Sequence, residues 1–423
     1  MKSELTGADA FLRAVEQRML AEGQGFHYGL SFVRLGSGFD GSRFLSAVRR
    51  LEGVSQIAGG RVWQRFFSVP CWEWSPRESV SFPVDFHPAG EVADVAAARL
   101  NGAGEVALRF DIFPQATGET ILMASWRHLF FDGKGAELLL AELARLSADL
   151  GAEPLKNSWG PVYRKPLRWR EALRQAEQFK DHFYANAALE IASLAGAEPR
   201  AGAARYRVER FSPEEMDHIR LRARGLTNDL FFLPYLMGVG MRAHRSIWVG
   251  RGREPESYQA SCAVQLRKNG ASGPIWQNQV SQLFFCVPAR NVESLEAVVI
   301  SLQEQFVRLS KSRMERAFVL MTDLFRRFPV SWYLKFIKSH SSGQLTSFFY
   351  SYTGKFMSGV STIAGAEVLD GWHAPSVPAP PGTGLFFSEC NGSLSATFSW
   401  REGVVSSSEI ELMFRSLRRE LLG

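Results

Sequence analysis

The chain contains 423 residues, of which 46% are hydrophobic and 22% charged, a composition typical of a soluble globular protein with two domains or one large two-lobed unit. Its net charge of +6 is spread along the sequence, which argues against a nucleic-acid-binding protein and is compatible with an anionic ligand or an acidic partner protein. The four cysteines form no C-x-x-C pair, the N-terminus lacks an apolar secretory core, and the longest apolar segment, 230–241, is too short to span a bilayer. We therefore expect a cytoplasmic protein with reduced thiols.

The first half of the chain is predicted to alternate helices and strands. Apolar residues recur at helical or alternating spacing in a helix at 8–20, a strand at 27–33, a helix at 39–51, a strand at 61–69, a short helix at 94–101, strands at 106–113 and 119–126, and helices at 133–150 and 169–194. Residues 70–92 are expected to be irregular, and Asp94 is predicted to cap the short helix. Four leucines are predicted to form the buried stripe of the helix at 133–150: Leu139, Leu143, Leu146 and Leu150.

The second half is also predicted to mix strands with helices, after a linker at 196–204 that is rich in glycine and alanine. The predicted elements are strands at 205–211, 258–266, 280–287, 347–352, 366–372, 384–390 and 393–400, and helices at 227–244 and 294–313. Capping boxes formed by Ser212 with Glu215, and by Ser408 with Glu411, predict two further helix starts. We therefore predict an α/β or α+β protein with one domain at 1–200 and a second at 201–423.

The segment 125–133, Ser-Trp-Arg-His-Leu-Phe-Phe-Asp-Gly, carries the strongest chemical signal in the sequence. It places His128 at the end of a predicted strand, and Asp132 and Gly133 in the turn that follows, with the spacing His-x-x-x-Asp-Gly. An imidazole is the usual group for moving a proton near neutral pH, and glycine reaches turn conformations that other residues resist. The same pattern is also compatible with a structural role, in which a histidine ends a strand and an Asp-Gly turn begins a helix.

This segment resembles the active-site motif of the acyltransferase superfamily that includes chloramphenicol acetyltransferase, peptide-synthetase condensation domains, alcohol acetyltransferases and wax ester synthase/diacylglycerol acyltransferases. The superfamily usually has His-His-x-x-x-Asp-Gly. Here Arg127 stands at the first histidine, and His128 matches the second, catalytic one. The resemblance implies two chloramphenicol acetyltransferase-like lobes, each a mixed sheet flanked by helices, with an active-site channel between them.

Two more segments resemble the same superfamily. Residues 226–230 resemble an Asn-Asp helix start, although threonine and asparagine commonly begin helices in any protein. Residues 263–281 resemble a Pro-Val-x-Leu-Arg … Gly-Asn-x-Val-Ser signature, with alanine in place of the proline and Gln277 in place of the glycine. The resemblance implies that Arg267 pairs with Asp132 as a bidentate clamp, with Asn278 in a supporting position.

A third segment, 348–356, resembles a Ser-Asn-x-Gly sequence near the end of related acetyltransferases, with Tyr352 where asparagine is common. It makes Ser351 a candidate donor to an oxyanion. The Asp-Phe-Gly-Trp-Gly motif of the plant acyltransferases and the Pro-Leu-Trp motif of wax synthases are both absent. The substrate therefore stays open.

The resemblance implies an acyltransferase in which His128 takes the proton from an acceptor as the acceptor attacks a thioester carbonyl. Asp132 would act through Arg267, and Gly133 would let the turn close. We expect the donor to be acyl-CoA or an acyl carrier protein supplied in trans, and the acceptor to be a hydroxyl, which is favoured over an amine. No cofactor or metal is implied, because the eight histidines lack zinc-ligand spacing.

Two alternatives stay open. A free-standing condensation-type enzyme would form an amide or an ester from carrier-bound substrates. A protein that kept the fold but lost catalysis would act as a binding protein or scaffold. Arg127 supports the second alternative, whereas the intact His128 and Asp132 oppose it.

Residues 325–338 mix aromatic with cationic side chains. Such a segment is compatible with peripheral contact to an anionic membrane surface, here the inner membrane face, or with the mouth of an acyl channel. A packed helix with snorkelling lysines is the structural alternative, and it is favoured from the sequence.

Overall fold

The computed structural model describes residues 2–58, 60–74, 83–102, 107–155, 169–187, 191, 193–195, 202–227, 231–341, 344 and 346–423. The helices in this part of the chain are α1 (Gly7–Ala21), α2 (Gly41–Arg50), α3 (Glu52–Ala58), α4 (Val92–Leu100), α5 (Gly133–Ala148), α6 (Trp169–Ala187), α7 (Pro213–Leu226), α8 (Phe232–Gly250), α9 (Ala289–Val292), α10 (Leu295–Lys311), α11 (Met314–Phe325), α12 (Val330–Ser341) and α13 (Ser407–Leu422). The strands are β1 (Lys2–Glu4), β2 (Tyr28–Leu35), β3 (Arg61–Trp63), β4 (Cys71–Glu73), β5 (Val84–Phe86), β6 (Leu108–Pro114), β7 (Thr120–Arg127), β8 (Ala204–Phe211), β9 (Ser257–Gln265), β10 (Val280–Pro288), β11 (Phe348–Lys355), β12 (Thr362–Ile363), β13 (Ala366–His373), β14 (Thr383–Cys390) and β15 (Ser393–Arg401).

Two mixed six-stranded sheets organise the described chain. The first has the strand order β12-β13-β2-β7-β6-β5, in which only β5 and β6 pair in parallel. The second has the order β10-β9-β11-β14-β15-β8, in which β11 is parallel to both of its neighbours. A small sheet, β1-β4-β3, accompanies them. With helices packed on both large sheets, the predicted α/β class is confirmed.

Each large sheet has its own apolar core. Between the first sheet and the helices α2 and α5 lie buried side chains such as Phe44, Phe110 and Leu139. Between the second sheet and its helices lie others, such as Tyr235 of α8 and Phe414 of α13. Burying one such side chain stabilises the fold by about 1.5–3 kcal/mol, so these stripes determine which face each helix turns inward.

The first sheet is completed by residues from the second half of the chain. β13 pairs antiparallel with β2, with Trp372 opposite Phe32, and the two rings stack with centroids 4.9 Å apart. β2 therefore lies between β13 and β7, the strand that leads to His128. The domain boundary predicted near residue 200 falls at 196–201, outside the described residues, and it stays a prediction.

Two local predictions are confirmed. The hairpin of β6 and β7 closes through Gln115 N, which donates to Glu119 O at 2.8 Å. The capping box of Ser212 and Glu215 is present at the start of α7.

Among the described residues, no helix combines the length and the apolar character needed to cross a bilayer.

Other local predictions are wrong. The helix α4 begins at Val92, so Asp94 lies in its first turn and does not cap it. The last helix is capped by Ser406 with Glu409 rather than by Ser408 with Glu411, because the chain leaves the core after Val405 and turns into the helix two residues earlier.

Helix and strand ends also differ from prediction. Leu150 is 56% exposed because α5 has already ended at Ala148. The strand predicted at 61–69 ends at Trp63, and the segment 70–92, predicted to be irregular, contains β4 and β5.

Candidate active site

His128 follows the last residue of β7, and its main chain extends the pairing of β7 with β2. Its amide N donates to His27 O at 2.7 Å, next to the register pair of Tyr28 and Arg127. The imidazole is therefore attached to the end of a sheet. It is partly exposed, but its Nδ1 is buried without a hydrogen-bond partner among the described residues.

Buried aromatic side chains anchor the loop between His128 and α5. Trp126 Nε1 donates to Phe131 O at 3.0 Å, and the rings of these two residues stack with centroids 5.4 Å apart. Phe130 stacks on Trp72 of β4 at 4.6 Å. These contacts leave the loop little freedom to change the position of His128.

Asp132 is buried and caps the N-terminus of α5. Its Oδ1 accepts from Gly135 N at 2.7 Å, and its Oδ2 accepts from Gln279 N at 2.7 Å. The Nη1 atom of Arg267 donates to both carboxylate oxygens at 2.9 Å. Because protein donors occupy both oxygens, the carboxylate is placed to hold the loop rather than to contact a substrate.

The contact of Arg267 differs from a two-nitrogen, bidentate fork. A single nitrogen, Nη1, spans the carboxylate of Asp132. Nε donates to Pro274 O at 2.7 Å, and Nη2 lies 3.4 Å from Ile275 O. With both side chains at most 4% exposed, the pair joins the loop after β7 to the segment between β9 and β10.

Asn278 contacts the main chain of the His128 loop. Its Nδ2 donates to His128 O at 3.0 Å and to Leu129 O at 3.2 Å. Asp9 Oδ1 accepts from Nδ2 of Asn278 at 2.9 Å and from its backbone N at 2.8 Å. Burial raises the pKa of Asp9 to about 6. Through Asp9, which the sequence did not indicate, α1 supports the loop.

Gln277 occupies the position where the related signature has glycine, and its backbone conformation explains why glycine suits that position. Its φ is 68°, in the left-handed region that glycine adopts most easily. The residue is held there by its own N, which donates to Phe130 O at 2.7 Å, and by its Nε2, which donates to Glu4 O at 2.6 Å.

Two glycines of α5 play different parts. A Cβ atom on Gly135 would lie 2.5 Å from Ile275 O, so α5 reaches the Arg267 segment only because this residue has no side chain. A Cβ atom on Gly133 would meet nothing within 4 Å, and Gly133 does not have a positive φ. The turn therefore does not depend on the backbone freedom of Gly133 that we expected; the residue leaves open space instead.

His27 belongs to the candidate site, although the sequence did not indicate it. Its ring stacks on the ring of His128, with centroids 4.9 Å apart and planes inclined by 17°. Burial places the pKa of His27 well below its ordinary value and also lowers the pKa of His128. Both rings are therefore neutral near pH 7. The sequence placed His27 at the start of the predicted strand at 27–33. Only the pairing register of β2 and β7 shows that this histidine lies beside His128.

Arg127, at the position of the first histidine of the motif, pairs with Glu16 of α1. Its Nε donates to Glu16 Oε2 at 3.2 Å, and Nη2 forms a second, short contact with Oε1. Its guanidinium carbon lies 4.3 Å from the centroid of the Phe26 ring. Arg127 thus provides a further tie between α1 and the end of β7, next to His128.

The remaining predicted segments lie apart from these contacts. Ser351 is in β11, opposite Phe386 of β14, and its side chain makes no hydrogen bond to any residue that the structure describes. Of the segment 226–230, residues 228–230 fall outside the described part of the chain.

A group of potential metal ligands exists elsewhere in the first sheet. Ligand atoms of Asp85, His87 and Asp111 lie within 4.8 Å of one another. Arg99 Nη2 donates to Asp111 at 2.7 Å, and Arg109 forms a short ion pair with Asp85. Because two guanidinium groups already neutralise the two carboxylates, this cluster is an ion-pair network with little attraction for a cation.

Comparisons with known proteins place this geometry in a known fold. No protein-family model and no curated protein matches the sequence. Among solved structures, the trichothecene 15-O-acetyltransferase TRI3 of Fusarium sporotrichioides matches with a TM-score of 0.75 at 12% identity, over 100% of this chain and 95% of that one. The first condensation domain of the calcium-dependent antibiotic synthetase matches with a TM-score of 0.68 at 15% identity, over 100% and 96%.

The chain has the condensation-domain and chloramphenicol acetyltransferase-like fold. A third match agrees with this: the starter condensation domain of rhizomide synthetase RzmA, solved with C8-CoA and Leu-SNAC, has a TM-score of 0.65 at 13% identity, over 100% of this chain and 94% of that one. The resemblance inferred from the His128 motif is confirmed at the level of fold. The two large sheets with their helices correspond to the two lobes of this condensation-like fold.

Proposed function

We propose that the protein is an acyltransferase that moves an acyl group from a thioester to a hydroxyl acceptor, with His128 as the general base. The observation that carries this proposal is the neutral, positioned imidazole of His128. It stands at the end of β7, is stacked on His27, and belongs to a loop held by Asn278 and the buried pair of Asp132 and Arg267. Because the pKa of His128 is lowered, its imidazole is already unprotonated at neutral pH and can accept a proton from a bound acceptor.

In the proposed reaction, a ring nitrogen of His128 removes the proton of the acceptor hydroxyl while the acceptor oxygen attacks the thioester carbonyl carbon. The tetrahedral intermediate then breaks its C–S bond, and the leaving thiolate takes the proton back from the imidazolium, giving an ester and a free thiol. Such a positioned base contributes about 10² to 10⁴ in rate. Donor and acceptor would enter the channel between the lobes that the resemblance implies. Ser351 remains our candidate for the oxyanion donor.

Two features support a hydroxyl acceptor. The solved structure with the TM-score of 0.75 is an O-acetyltransferase. The Leu-Arg … Asn-x-Val-Ser segment also resembles alcohol-acylating branches of the superfamily. The donor is either acyl-CoA or an acyl group on a carrier protein, and the proposal requires no cofactor.

A condensation-type reaction on carrier-bound substrates is the second candidate, because condensation domains are prominent among the solved structures with this fold. In that case the acceptor would be an amine or hydroxyl on a second carrier protein. His128 would take the same part in the chemistry, so the two candidates differ in substrate delivery.

Thiol release tests the proposal. The purified protein is incubated with acyl-CoAs from acetyl to palmitoyl, with a mixture of alcohols or of amines, and free CoA is followed with a thiol reagent. We expect release that depends on an alcohol and is lost in His128→Ala. The matched control is His218→Ala, since His218 lies exposed on α7 and forms its hydrogen bond within the described residues with Leu422 O.

The outcomes separate the candidates. Release with amines and carrier-loaded acyl groups, but not with CoA, would favour the condensation-type enzyme. No turnover with any donor would contradict the proposal and favour a binding protein or scaffold of the same fold. Turnover that survives in His128→Ala would contradict the role of His128 as the general base.

A further inference from the structure

An exposed aromatic patch is formed by two segments that are far apart in the sequence. We use the name aromatic patch for Trp63, Phe66, Phe67, Phe328 and Trp332, all of them exposed. Phe66 is 77% exposed and Trp332 is 53% exposed, so both rings stand out from the surface. Large aromatic side chains grouped in this way on a surface usually mark an interaction site.

The rings of the patch contact one another across the two segments. Phe67 lies 6.0 Å from both Phe328 and Trp332, measured between ring centroids, and both pairs are edge to face. Phe66 lies 4.3 Å from Phe67, and Phe328 stacks on Trp332 at 6.1 Å. Four of the five rings therefore form one continuous surface: Phe66, Phe67, Phe328 and Trp332.

The protein holds the first segment of the patch in a fixed turn. Gln64 Nε2 donates to Ser68 O at 3.0 Å and to Arg326 O at 3.3 Å, and Gln64 Oε1 accepts from Arg13 Nη1 at 2.7 Å. Phe67 has a φ of 54°, which is unfavourable for a residue with a large side chain. The turn thus presents its two phenylalanines to solvent although neither burial nor backbone preference favours that arrangement.

The second segment of the patch belongs to a packed helix. Tyr333 of α12 is buried beside Phe11 of α1 and Phe325 of α11, which is the packed-helix arrangement that was favoured from the sequence. Trp332 and Lys335 lie on the exposed side of the same helix. The helix is therefore anchored on one side and available for contact on the other.

Cationic residues predominate in the two segments that form the patch. The segments 61–68 and 324–335 contain five cationic residues and no aspartate or glutamate. Four of these cations are exposed: Arg61, Arg65, Arg327 and Lys335. The fifth, Arg326, lies 3.4 Å from Asp323 and 3.8 Å from Glu4. An anionic surface would thus meet aromatic rings bordered by positive charge.

We propose that the aromatic patch docks this protein on an anionic lipid membrane surface. Protruding aromatic rings enter the boundary between headgroups and acyl chains, and flanking cations bind anionic headgroups. Phe66 and Trp332 are the inserted rings, and Arg65, Arg327 and Lys335 are the headgroup contacts. This docking does not depend on the acyltransferase proposal, because none of these residues contacts the His128 loop.

Vesicle flotation tests this proposal. The full chain is mixed with phosphatidylcholine vesicles, with or without phosphatidylglycerol, and the fraction that floats is measured at low and high salt. We expect binding to the anionic vesicles only, weakened by salt. Phe66→Ser combined with Trp332→Ser should lower the partition coefficient by about tenfold or more, as should Arg65→Glu combined with Arg327→Glu.

The matched control is Trp169→Ser. Trp169 lies on α6, is 67% exposed and also has an arginine, Arg170, near its ring, but it is outside the aromatic patch. This variant should float like the unchanged protein. Circular dichroism and thermal melting verify that all variants are folded.

Three outcomes would overturn the docking proposal. The first is that the unchanged protein does not float with anionic vesicles. The second is that the variant carrying Phe66→Ser and Trp332→Ser floats as well as the unchanged protein. The third is that no protein binds vesicles but the patch variants lose binding to an acidic carrier protein. The last result would assign the aromatic patch to a protein partner.

Discussion

The imidazole of His27 lies on the imidazole of His128, with ring centroids 4.9 Å apart and planes inclined by 17°. His27 immediately precedes β2 and His128 immediately follows β7, its neighbour in the sheet, and His27 O also accepts the backbone N–H of His128. His27 thus supports both the main chain and the ring of the proposed base. The stack covers one face of that ring, and burial lowers the pKa of His128.

We expect His27→Ala to lower kcat by about tenfold and to leave KM nearly unchanged, because the base loses orientation rather than substrate contact. His27→Phe keeps an aromatic ring on His128 and should stay within about twofold of the original kcat. Activity requires neutral His128, so it falls as the pH drops through the pKa of this residue. That acid limb should lie below 6.5 in the original protein and move towards 6.5 in His27→Ala.

The measurements are the pH dependence of kcat and the titration of His128 followed by NMR. Because the NMR titration does not require turnover, it tests the stacking even if no substrate is found. An acid limb and an NMR titration that are the same in His27→Ala as in the original protein would contradict this role.

The pair of Asp132 and Arg267 should contribute strongly to stability. Asp132→Asn leaves the buried guanidinium without its counter-charge, and we expect a loss of about 3–5 kcal/mol in the free energy of unfolding together with a loss of activity. Denaturation in urea measures the first quantity. As a control, Glu402→Gln removes the partner of Arg205 in an exposed ion pair and should cost at most about 1 kcal/mol. A stable but inactive Asp132→Asn would instead indicate a direct part in the chemistry.

Two glycines of one helix turn provide a matched test of close packing. Gly135→Ala places a methyl group against Ile275 O and should destabilise the protein by about 1–3 kcal/mol, since the contact is with backbone that has little room to move. Gly133→Ala meets open space and should change stability by less than about 1 kcal/mol. Thermal melting of both variants checks this order. Equal stability of the two would show that α5 moves away from the Arg267 segment at little cost.

The pair of Arg127 and Glu16 replaces a histidine of the related motif. Glu16 is buried, so Arg127→Ala should cost about 3 kcal/mol by leaving that carboxylate unpaired. Adding Glu16→Leu to this variant should recover part of the loss. The four proteins of this double-mutant cycle are compared by urea denaturation. Additive effects would mean that the two side chains do not stabilise each other.

Asp9 should make stability depend on pH between about 4 and 6. Its pKa is raised from 3.8 to about 6 in the folded protein, so the folded state keeps a proton that the unfolded state releases. Stability from this residue is fully present below 3.8 and is lost as the pH rises to about 6, by up to roughly 3 kcal/mol. Asp9→Asn does not titrate. As the pH rises over that range, the free energy of unfolding of this variant should therefore increase relative to that of the original protein. A constant difference between the two proteins would exclude this titration.

Local chemistry accounts for the parts that were predictable. The spacing of His128, Asp132 and Gly133 indicates a strand end followed by a helix cap, and the capping box of Ser212 depends on residues three positions apart. The serines at 406–408 offered more than one possible cap for the last helix. Burial of the preceding valines determined that the helix begins after Ser406.

Contacts between distant residues could not be predicted in this way. Arg267 could be matched to Asp132, 135 positions away, only because the motif resembled a known superfamily. His27, Asp9 and Gly135 had no such guide. Their positions depend on which strands pair, in which register, and how closely α5 approaches the segment between β9 and β10.

The sequence alone therefore specified the chemical groups of the site and the local turn that presents them, because capping, turn formation and periodic burial act within a few residues. Tertiary structure decided the surroundings of His128: the stacked ring, the support from α1, and the carboxylate occupied by protein donors. It also brought the phenylalanines of one turn beside the tryptophan of α12. Both results follow from strand pairing and core packing, whose energies sum over many residues far apart in the chain.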